Sequence, residues 1–359
     1  MTISSKPNRR DVIKAGFAAG AAGAFGLGSI ARAAAQDTMQ DFKGAQLVAN
    51  AYGGSFGKAW QEYVVAPFEK KFNARVTIVE SLTGDTVAKV RASRNNPQMD
   101  VAMLGDSGAV LLAADGLYEP LTEAAVPNLK ELLPQARNPG DPYAEFLFGS
   151  EVFAYNTKAL STPPKSWKDL YKDEYKGRLL LPDLTNSTSG VVFLVHLAEL
   201  NGGSVDNIDP AFEALERLRP NVLTYWSSQQ QISGLMASGE AWAAVWTPDR
   251  AGALMKSGAP VDIVYPEEGV KVFGNGIGVV KGTKVPELAA AYVNFVLSKE
   301  VQSSFHANAL LTPTNAKAEL PEEARRFVPD PAIATTADWG KVVEHMPQWV
   351  ERWNRIVTR

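Results

Sequence analysis

The pattern with the clearest chemical potential is Gly53-Gly54-Ser55-Phe56-Gly57, which matches the G-x-S-x-G sequence around the nucleophilic serine of many hydrolases. Such an enzyme also needs a histidine late in the chain, and His306 and His345 are available. In that enzyme fold several strands precede the serine, whereas this motif follows the first predicted strand. A ligand-binding loop is therefore favoured, in which the glycines let the backbone approach a ligand at a helix start. A serine hydrolase is the alternative.

Metal and cofactor chemistry has little support in the sequence. Cysteine is absent, which excludes disulfides, thiolate metal sites and cysteine nucleophiles. No two histidines have the spacing of a metal pair such as H-x-x-x-H. The stretch Gly274-Asn275-Gly276-Ile277-Gly278 is superficially like a dinucleotide loop but lacks the third glycine at the required offset, so it predicts a hinge strand. We expect no cofactor and no bound metal.

Aromatic residues at the ends of predicted strands indicate a ligand-binding cleft. Trp246 closes one strand just before the helix start Thr247-Pro248, and Tyr52 stands at the equivalent strand end in the first half of the chain. Open α/β sheets bind ligands at the carboxyl ends of their strands. We therefore predict that both rings line a ligand pocket.

Groups near these rings are suited to an anionic ligand. Arg250 lies four residues after Trp246, and Ser187-Thr188-Ser189-Gly190 opens a predicted helix with unpaired N–H groups. Residues 53–55 supply a third candidate anion site, and Asp106 or an aromatic face could accommodate an amino group. This balance predicts a small carboxylate or an amino-acid-like ligand, with a polyamine as the alternative.

The first 35 residues have the pattern of an export signal. Arg9 and Arg10 precede an uncharged, Ala- and Gly-rich run over residues 15–31, and small residues follow up to Ala35. The run is too short and too weakly apolar for a membrane anchor. Paired arginines before such a mild run are typical of a twin-arginine signal. We expect export to the periplasm by the twin-arginine machinery, with cleavage near Ala35.

Length and composition fit a soluble protein of about two domains. The chain has 359 residues, of which 45% are hydrophobic and 21% charged, so disordered, collagen-like and multi-span membrane classes are excluded. Residues 1–35 hold five of the 36 Lys and Arg and one of the 39 Asp and Glu, which leaves a net charge of −7 for the rest. An acidic chain without a basic run argues against nucleic-acid binding.

From residue 46 onward, short apolar runs alternate with amphipathic stretches. Predicted strands at 47–52, 75–80 and 100–104 are each followed by a turn and a helix. After a proline-containing stretch at 120–142 the alternation resumes, with further strands at 152–155, 178–181, 222–226, 241–246 and 261–265. This order is typical of βαβ units, and it predicts an α/β fold of two lobes.

A set of short motifs follows in a fixed order along the chain. They are Phe153-Ala154-Tyr155-Asn156-Thr157, Ser166-Trp167-Lys168-Asp169-Leu170, residues 174–183, Leu218-Arg219-Pro220-Asn221-Val222, residues 258–264, Pro266-Glu267-Glu268-Gly269 and Pro313-Thr314-Asn315. Together they resemble the type II periplasmic solute-binding proteins, and most of all their spermidine/putrescine-binding branch. The similarity spans nearly the whole mature chain.

The resemblance implies a receptor that closes on a small ligand between two lobes and presents it to an ABC transporter permease. Closure then shifts an open–closed equilibrium and drives no chemistry. The family topology implies discontinuous lobes, the first over residues 42–151 plus 274–312 and the second over 152–273 plus 313–359.

Polyamine-binding members of the family hold the ligand between aromatic rings and carboxylates. Tyr52, Trp246 and Phe273 align with the aromatic positions, but Asn275 replaces an ammonium-binding aspartate and Ser107 replaces another aromatic residue. The acidic loop of the family is Leu184-Thr185-Asn186-Ser187-Thr188-Ser189 here. These departures argue against a polyamine.

An iron-binding receptor of the same fold is a further alternative. Such a receptor is expected to use paired tyrosines, whereas Tyr225 is followed by Trp226.

The full set of predicted ligand-binding residues is Tyr52, Gly54, Ser55, Asp106, Ser107, Ser187, Thr188, Ser189, Tyr225, Trp246, Arg250, Phe273 and Asn275.

Overall fold

The predicted strands and helices form in the expected order, as seen in a computed structural model that describes residues 40–185 and 188–357, whereas the strands at 118–119, 144–150, 312–313 and 334–336 are not predicted by the sequence pattern. The predicted signal segment, residues 1–35, lies outside the described residues. The strands are β1 (Gln46–Ala51), β2 (Arg75–Glu80), β3 (Val101–Gly105), β4 (Tyr118–Glu119), β5 (Ala144–Ser150), β6 (Val152–Asn156), β7 (Leu179–Pro182), β8 (Val222–Trp226), β9 (Ala243–Trp246), β10 (Val261–Val264), β11 (Val270–Val280), β12 (Thr312–Pro313) and β13 (Ala334–Thr336).

The helices connect and cover these strands. They are α1 (Gly54–Trp60), α2 (Ala66–Phe72), α3 (Thr83–Ala92), α4 (Asp106–Ala114), α5 (Thr188–Leu200), α6 (Asp209–Leu218), α7 (Gln229–Ser238), α8 (Pro248–Lys256), α9 (Pro286–Val296), α10 (Lys299–Ala309), α11 (Glu322–Arg325) and α12 (Trp339–Val357). A π-helical segment, Gln61–Val65, joins α1 to α2. Short 3₁₀ helices cover Pro127–Glu131, Pro134–Ala136, Trp167–Tyr171, Asp173–Tyr175, Arg219–Asn221 and Pro331–Ile333.

The first sheet joins strands from both ends of the described chain. Its order is β12-β5-β11-β3-β1-β2, and β4 and β13 also pair with β11. β1 runs parallel to β2 and β3, as βαβ units require, whereas β11 runs antiparallel to β3 and β5. The glycine-containing stretch 274–278 therefore lies within a strand, as its apolar surroundings predict.

The second sheet has the order β10-β6-β9-β7-β8. β7 runs parallel to β8 and β9, while β6 runs antiparallel to β9 and β10. The chain passes from the first sheet to the second at Glu151, between β5 and β6, and it returns between β10 and β11. The Glu151 N–H donates to the Lys271 carbonyl at 3.4 Å, so the two crossings lie side by side. β13, from the C-terminal segment, also pairs with β11 of the first sheet. The lobe boundaries stay a prediction.

The second sheet is buried on both faces. Ala243 and Val245 of β9 pack in one apolar cluster with α5, α6 and α12, and the alternate residues Ala244 and Trp246 pack in another with α7 and α8. This period of two places every β9 side chain in a core. The predicted N-cap Thr247 precedes Pro248 with an extended backbone, but its side chain makes no capping hydrogen bond.

Two negative findings apply to residues 40–185 and 188–357. Within these ranges, no helix combines the length and the apolar character that crossing a membrane requires. Nor do the side chains of these ranges form a group of three or more His, Asp or Glu residues that could hold a metal ion.

Candidate functional site

A cavity of about 630 Å³ lies where the carboxyl ends of strands from both sheets meet. We call it the outer cavity. Tyr52 follows β1, Thr83 follows β2 and Ser107 follows β3, while Leu184 and Thr188 follow β7 of the other sheet. Its full lining is Tyr52, Leu82, Thr83, Gly84, Asp85, Val87, Ser107, Gly108, Leu111, Leu184, Thr185, Thr188, Val191, Phe273, Asn275, Trp339 and Met346.

A second cavity, of about 190 Å³, shares four wall residues with the first: Tyr52, Thr188, Phe273 and Asn275. We call it the inner cavity. Its remaining lining is Phe56, Leu147, Gly149, Ser189, Trp226, Gln229, Thr247, Asp249, Arg250 and Leu311. The two cavities together form a cleft with contributions from both sheets.

Tyr52 and Asn275 form a hydrogen-bonded floor between the two cavities. The Tyr52 hydroxyl donates to Asn275 Oδ1 at 2.7 Å and lies 3.2 Å from Thr83 Oγ1, which in turn accepts the Gly105 N–H at 3.1 Å. Burial raises the pKa of Tyr52 to about 12, so this hydroxyl stays protonated at neutral pH. The floor thus presents a fixed, uncharged surface of one ring and one amide.

The first turns of three helices face the outer cavity. Thr83, Gly84 and Asp85 begin α3, Ser107 and Gly108 lie in the first turn of α4, and Thr188 begins α5. The N-cap residues of α3 and α4 make no side-chain capping hydrogen bond. Because the first N–H groups of a helix lack partners within the helix, they are suited to hold an anionic group of a ligand.

Opposite charges lie next to each other in the inner cavity. Arg250 Nε is 3.2 Å from Asp249 Oδ2, and the two side chains are 31% and 18% exposed. The cation that the sequence predicts for the cleft is therefore present, but an acidic neighbour already balances part of its charge. Such a pair can bind the two ends of a zwitterion as well as a simple anion.

Trp246 and Tyr225 are corrections to the predicted site. Trp246 is fully buried and its indole Nε1 donates to Gln229 Oε1 at 2.8 Å, because both faces of its sheet are covered. Tyr225 packs edge-on against Trp353, with ring centroids 4.8 Å apart, in the core beneath α12. Neither residue lines the cleft, and Tyr225 has no place in a tyrosine pair at this cleft.

The remaining predicted residues divide into three groups. Tyr52, Ser107, Thr188, Ser189, Arg250, Phe273 and Asn275 line the cleft. Asp106 is buried behind the wall, and Gly54 is exposed at the start of α1 with a positive φ of 69°; neither is among the lining residues. Ser187 and the side chain of Ser55 lie outside the described parts of the structure.

The sequence interpretation missed several lining residues that follow strands. Thr83 and Asp85 come after β2, whereas Trp226 is the last residue of β8 and Gln229 follows that strand. The signal that could have found them is the strand-end rule itself, which we applied only to Tyr52 and Trp246.

The three histidines do not line the cleft. His196 is buried within α5 against Trp167, and burial lowers its pKa to about 4. His306 is fully buried in α10, where burial lowers its pKa to about 3. His345 lies on α12, where its Nε2 is 3.6 Å from Asp206 Oδ1. The histidine base that a serine hydrolase requires is therefore missing from the lining of this cleft.

Known proteins resemble this chain in sequence and in overall fold. Residues 63–335 match the family described as bacterial extracellular solute-binding protein. Spermidine/putrescine-binding periplasmic protein 1 of Haemophilus influenzae is 28% identical over 296 residues, 78% of this chain and 80% of that protein. A putative 2-aminoethylphosphonate-binding periplasmic protein of Salmonella typhimurium is 23% identical, over 83% of this chain and 88% of its own. A solved ABC transporter structure from Clostridium perfringens has a TM-score of 0.75 and 29% identity, covering 87% of this chain and 99% of the other.

Proposed function

The chain belongs to the bacterial extracellular solute-binding proteins and has the two-lobed α/β fold of the type II periplasmic binding proteins, and we propose that it delivers a small carboxylate or amino-acid-like ligand to an ABC importer. The observation that carries the proposed ligand class is the convergence of three helix N-termini on the outer cavity. Their N–H groups would bind the carboxylate.

The inner cavity supports a ligand with a second polar group. Arg250 and Asp249 are adjacent there, and Phe273 and Tyr52 line both cavities with apolar ring surface. A short ligand could span the two cavities, with its aliphatic part against the rings and its ends in the two polar regions.

A polyamine is the second candidate. It is favoured by the carboxylates of Asp85 and Asp249, one in the wall of each cavity, and by the name of the Haemophilus influenzae relative. Against it stands Asn275, whose Oδ1 already accepts a hydrogen bond from Tyr52.

Release to the periplasm and docking to the permease complete the proposal. The named relatives in Haemophilus influenzae and Salmonella typhimurium are periplasmic. We propose that the twin-arginine route exports this chain, that residues 1–35 are removed near Ala35, and that the ligand-bound form is recognised by the permease of the transporter.

The test begins with a thermal-shift screen of the purified protein against carboxylates, amino acids, organophosphonates and polyamines. A ligand at 100 times its dissociation constant should add about 2.7 kcal/mol to the free energy of unfolding. Stabilisation by carboxylate-bearing compounds is expected. Stabilisation by polyamines alone would move the assignment to the second candidate.

The Arg250→Ala variant tests whether the inner cavity contributes to the binding of an anionic ligand. We expect the affinity for the best carboxylate to fall at least tenfold, a loss of about 1.4 kcal/mol or more in calorimetry. The matched control is Arg91→Ala, since Arg91 makes a 2.6 Å ion pair with Asp115 on the surface and lines neither cavity. Equal affinities for the two variants would contradict an anion-binding role for Arg250.

A further inference from the structure

Strand β11 passes between two buried carboxyl groups. Asp106, the first residue of α4, is 6% exposed, and Glu145 in β5 is 4% exposed. The Gly274 N–H of β11 donates to Asp106 Oδ2. The two acids thus approach the same residue of β11 from two different elements.

Gly274 shows how close the two carboxyl groups lie. A Cβ at this position would lie 3.0 Å from Asp106 Oδ1 and still closer to Glu145 Oε2. Only glycine leaves room for both groups here. Two carboxylates this near each other in a buried site repel strongly if both are ionised.

Within the described part of the chain, the surroundings offer this pair hydroxyls but no cation. Among the described residues, the titratable groups that act on the two carboxyls from neighbouring elements are Tyr52 after β1, Tyr118 of β4 and Tyr143 before β5. Glu145 Oε2 is buried and has no hydrogen-bond partner in the described structure. An unpaired buried charge is costly, so a neutral group is favoured at this oxygen.

We propose that Asp106 and Glu145 hold one proton between them, and that this protonated pair fastens α4 and β5 to Gly274 of β11 behind the wall of the cleft. Gly274 lies between Phe273 and Asn275, which both line the two cavities. The proton therefore stabilises the strand that carries part of the binding surface. The inference about folding is independent of the ligand; only its consequence for binding rests on the proposed function.

The electrostatics of the pair support this assignment. Burial raises the pKa of both carboxyls, that of Glu145 well above its usual range, and the nearby Asp106 raises it further. Because the folded-state pKa exceeds the unfolded value of about 4, the stabilising effect is complete below about pH 4 and is lost as the pH rises through the folded-state pKa. The folded protein should therefore release a proton on unfolding at neutral pH.

The experiment measures urea unfolding of the purified protein at a series of pH values from about 6.5 upward. One proton held by the folded state makes the unfolding equilibrium constant rise about tenfold per pH unit. Glu145→Gln combined with Asp106→Asn keeps the shape of both side chains and removes both acids, so the double variant should lose that tenfold rise per pH unit. The amide oxygen at position 106 can still accept the Gly274 N–H.

Glu344→Gln is the control, because Glu344 is exposed on α12. It should retain the full pH dependence of the wild type. Glu151, a third buried acid with a raised pKa, is present in all three proteins, so its contribution cancels in the comparison. A wild-type slope below tenfold per pH unit, or a wild-type slope that persists in the double variant, would overturn the proposal. Because no ligand is needed, a failure of the proposed ligand class would leave this result unaffected.

Discussion

The Phe273 ring can line the cleft because Gly149, opposite it, has no side chain. The two residues face each other across β5 and β11, and a Cβ on Gly149 would lie 2.5 Å from two atoms of the Phe273 ring. A contact that short forces the ring to move. One glycine thus sets the position of an aromatic surface shared by both cavities.

We expect Gly149→Ala to weaken ligand binding about tenfold, or about 1.4 kcal/mol in calorimetry, because the displaced ring enters the cleft. The matched control is Gly234→Ala on α7, an exposed position where a Cβ would meet no atom within 4 Å. The control should keep the wild-type affinity and gain about 0.5–1 kcal/mol in the free energy of unfolding. Unchanged affinity in Gly149→Ala would show that the ring position does not matter for binding.

Tyr52, directly after β1, and Thr188, at the start of α5, are cleft residues that local sequence patterns predict. The pattern fails at Trp246 because a strand end does not reveal which face its last side chain takes. Here that face is covered by α7 and α8, so the ring enters a core and supports the cleft only through Gln229.

The motifs by which the chain resembles the family connect neighbouring elements of the fold. Trp167 Nε1 donates to the Gly269 carbonyl at 2.8 Å, which ties a 3₁₀ helix to the turn before β11. Asn221 Nδ2 donates to the Leu170 carbonyl at 2.8 Å and so ties the start of β8 to the same 3₁₀ helix. These contacts stabilise the fold and do not determine which ligand binds. This explains why the sequence predicts the fold more completely than the ligand.

One buried amide joins β5, the end of α9 and the segment after β12. Gln302 is 0% exposed, and its Nε2 donates to the carbonyls of Phe146 and Val296. Its Oε1 accepts the N–H groups of Thr314 and Asn315. The family motif Pro313-Thr314-Asn315 is therefore fixed by hydrogen bonds to a glutamine that the sequence patterns do not indicate.

We expect Gln302→Leu to lower the free energy of unfolding by about 3 kcal/mol or more, because several buried backbone groups would lose their partners. Urea unfolding measures this loss. Gln98→Leu is the control, since Gln98 is exposed and its amide donates only to the nearby Asn96 carbonyl; its change should stay within about 0.5 kcal/mol. Equal stability of the two variants would contradict the role assigned to Gln302.

At the scale of the whole molecule, the chain passes between the two sheets at two adjacent points, at Glu151 and just before Val270. The alternation of apolar and amphipathic stretches predicts both groups of parallel strands. It does not reveal that β11 joins the first sheet, or that β13 returns to it from the C-terminal segment. Such long-range pairings depend on the packing of distant segments, which local patterns do not encode.

Export belongs to the scale of the whole chain. Replacing Arg9 and Arg10 by lysine should leave the precursor in the cytoplasm, because the twin-arginine machinery reads the arginine pair. Cell fractionation with detection of the precursor and the mature form measures the outcome. Arg32→Lys, a change in the same segment but outside the pair, should be exported normally. Undiminished periplasmic accumulation of the double variant would exclude the twin-arginine route.

If the proposed ligand class is right, the cleft binds a small carboxylate-bearing solute more tightly than a polyamine. Isothermal titration calorimetry of the wild-type protein with the most stabilising carboxylate of the screen, and in parallel with spermidine, measures this difference. We predict a dissociation constant at least tenfold lower for the carboxylate, a difference of about 1.4 kcal/mol or more. Tighter binding of spermidine would show that the proposed ligand class is wrong.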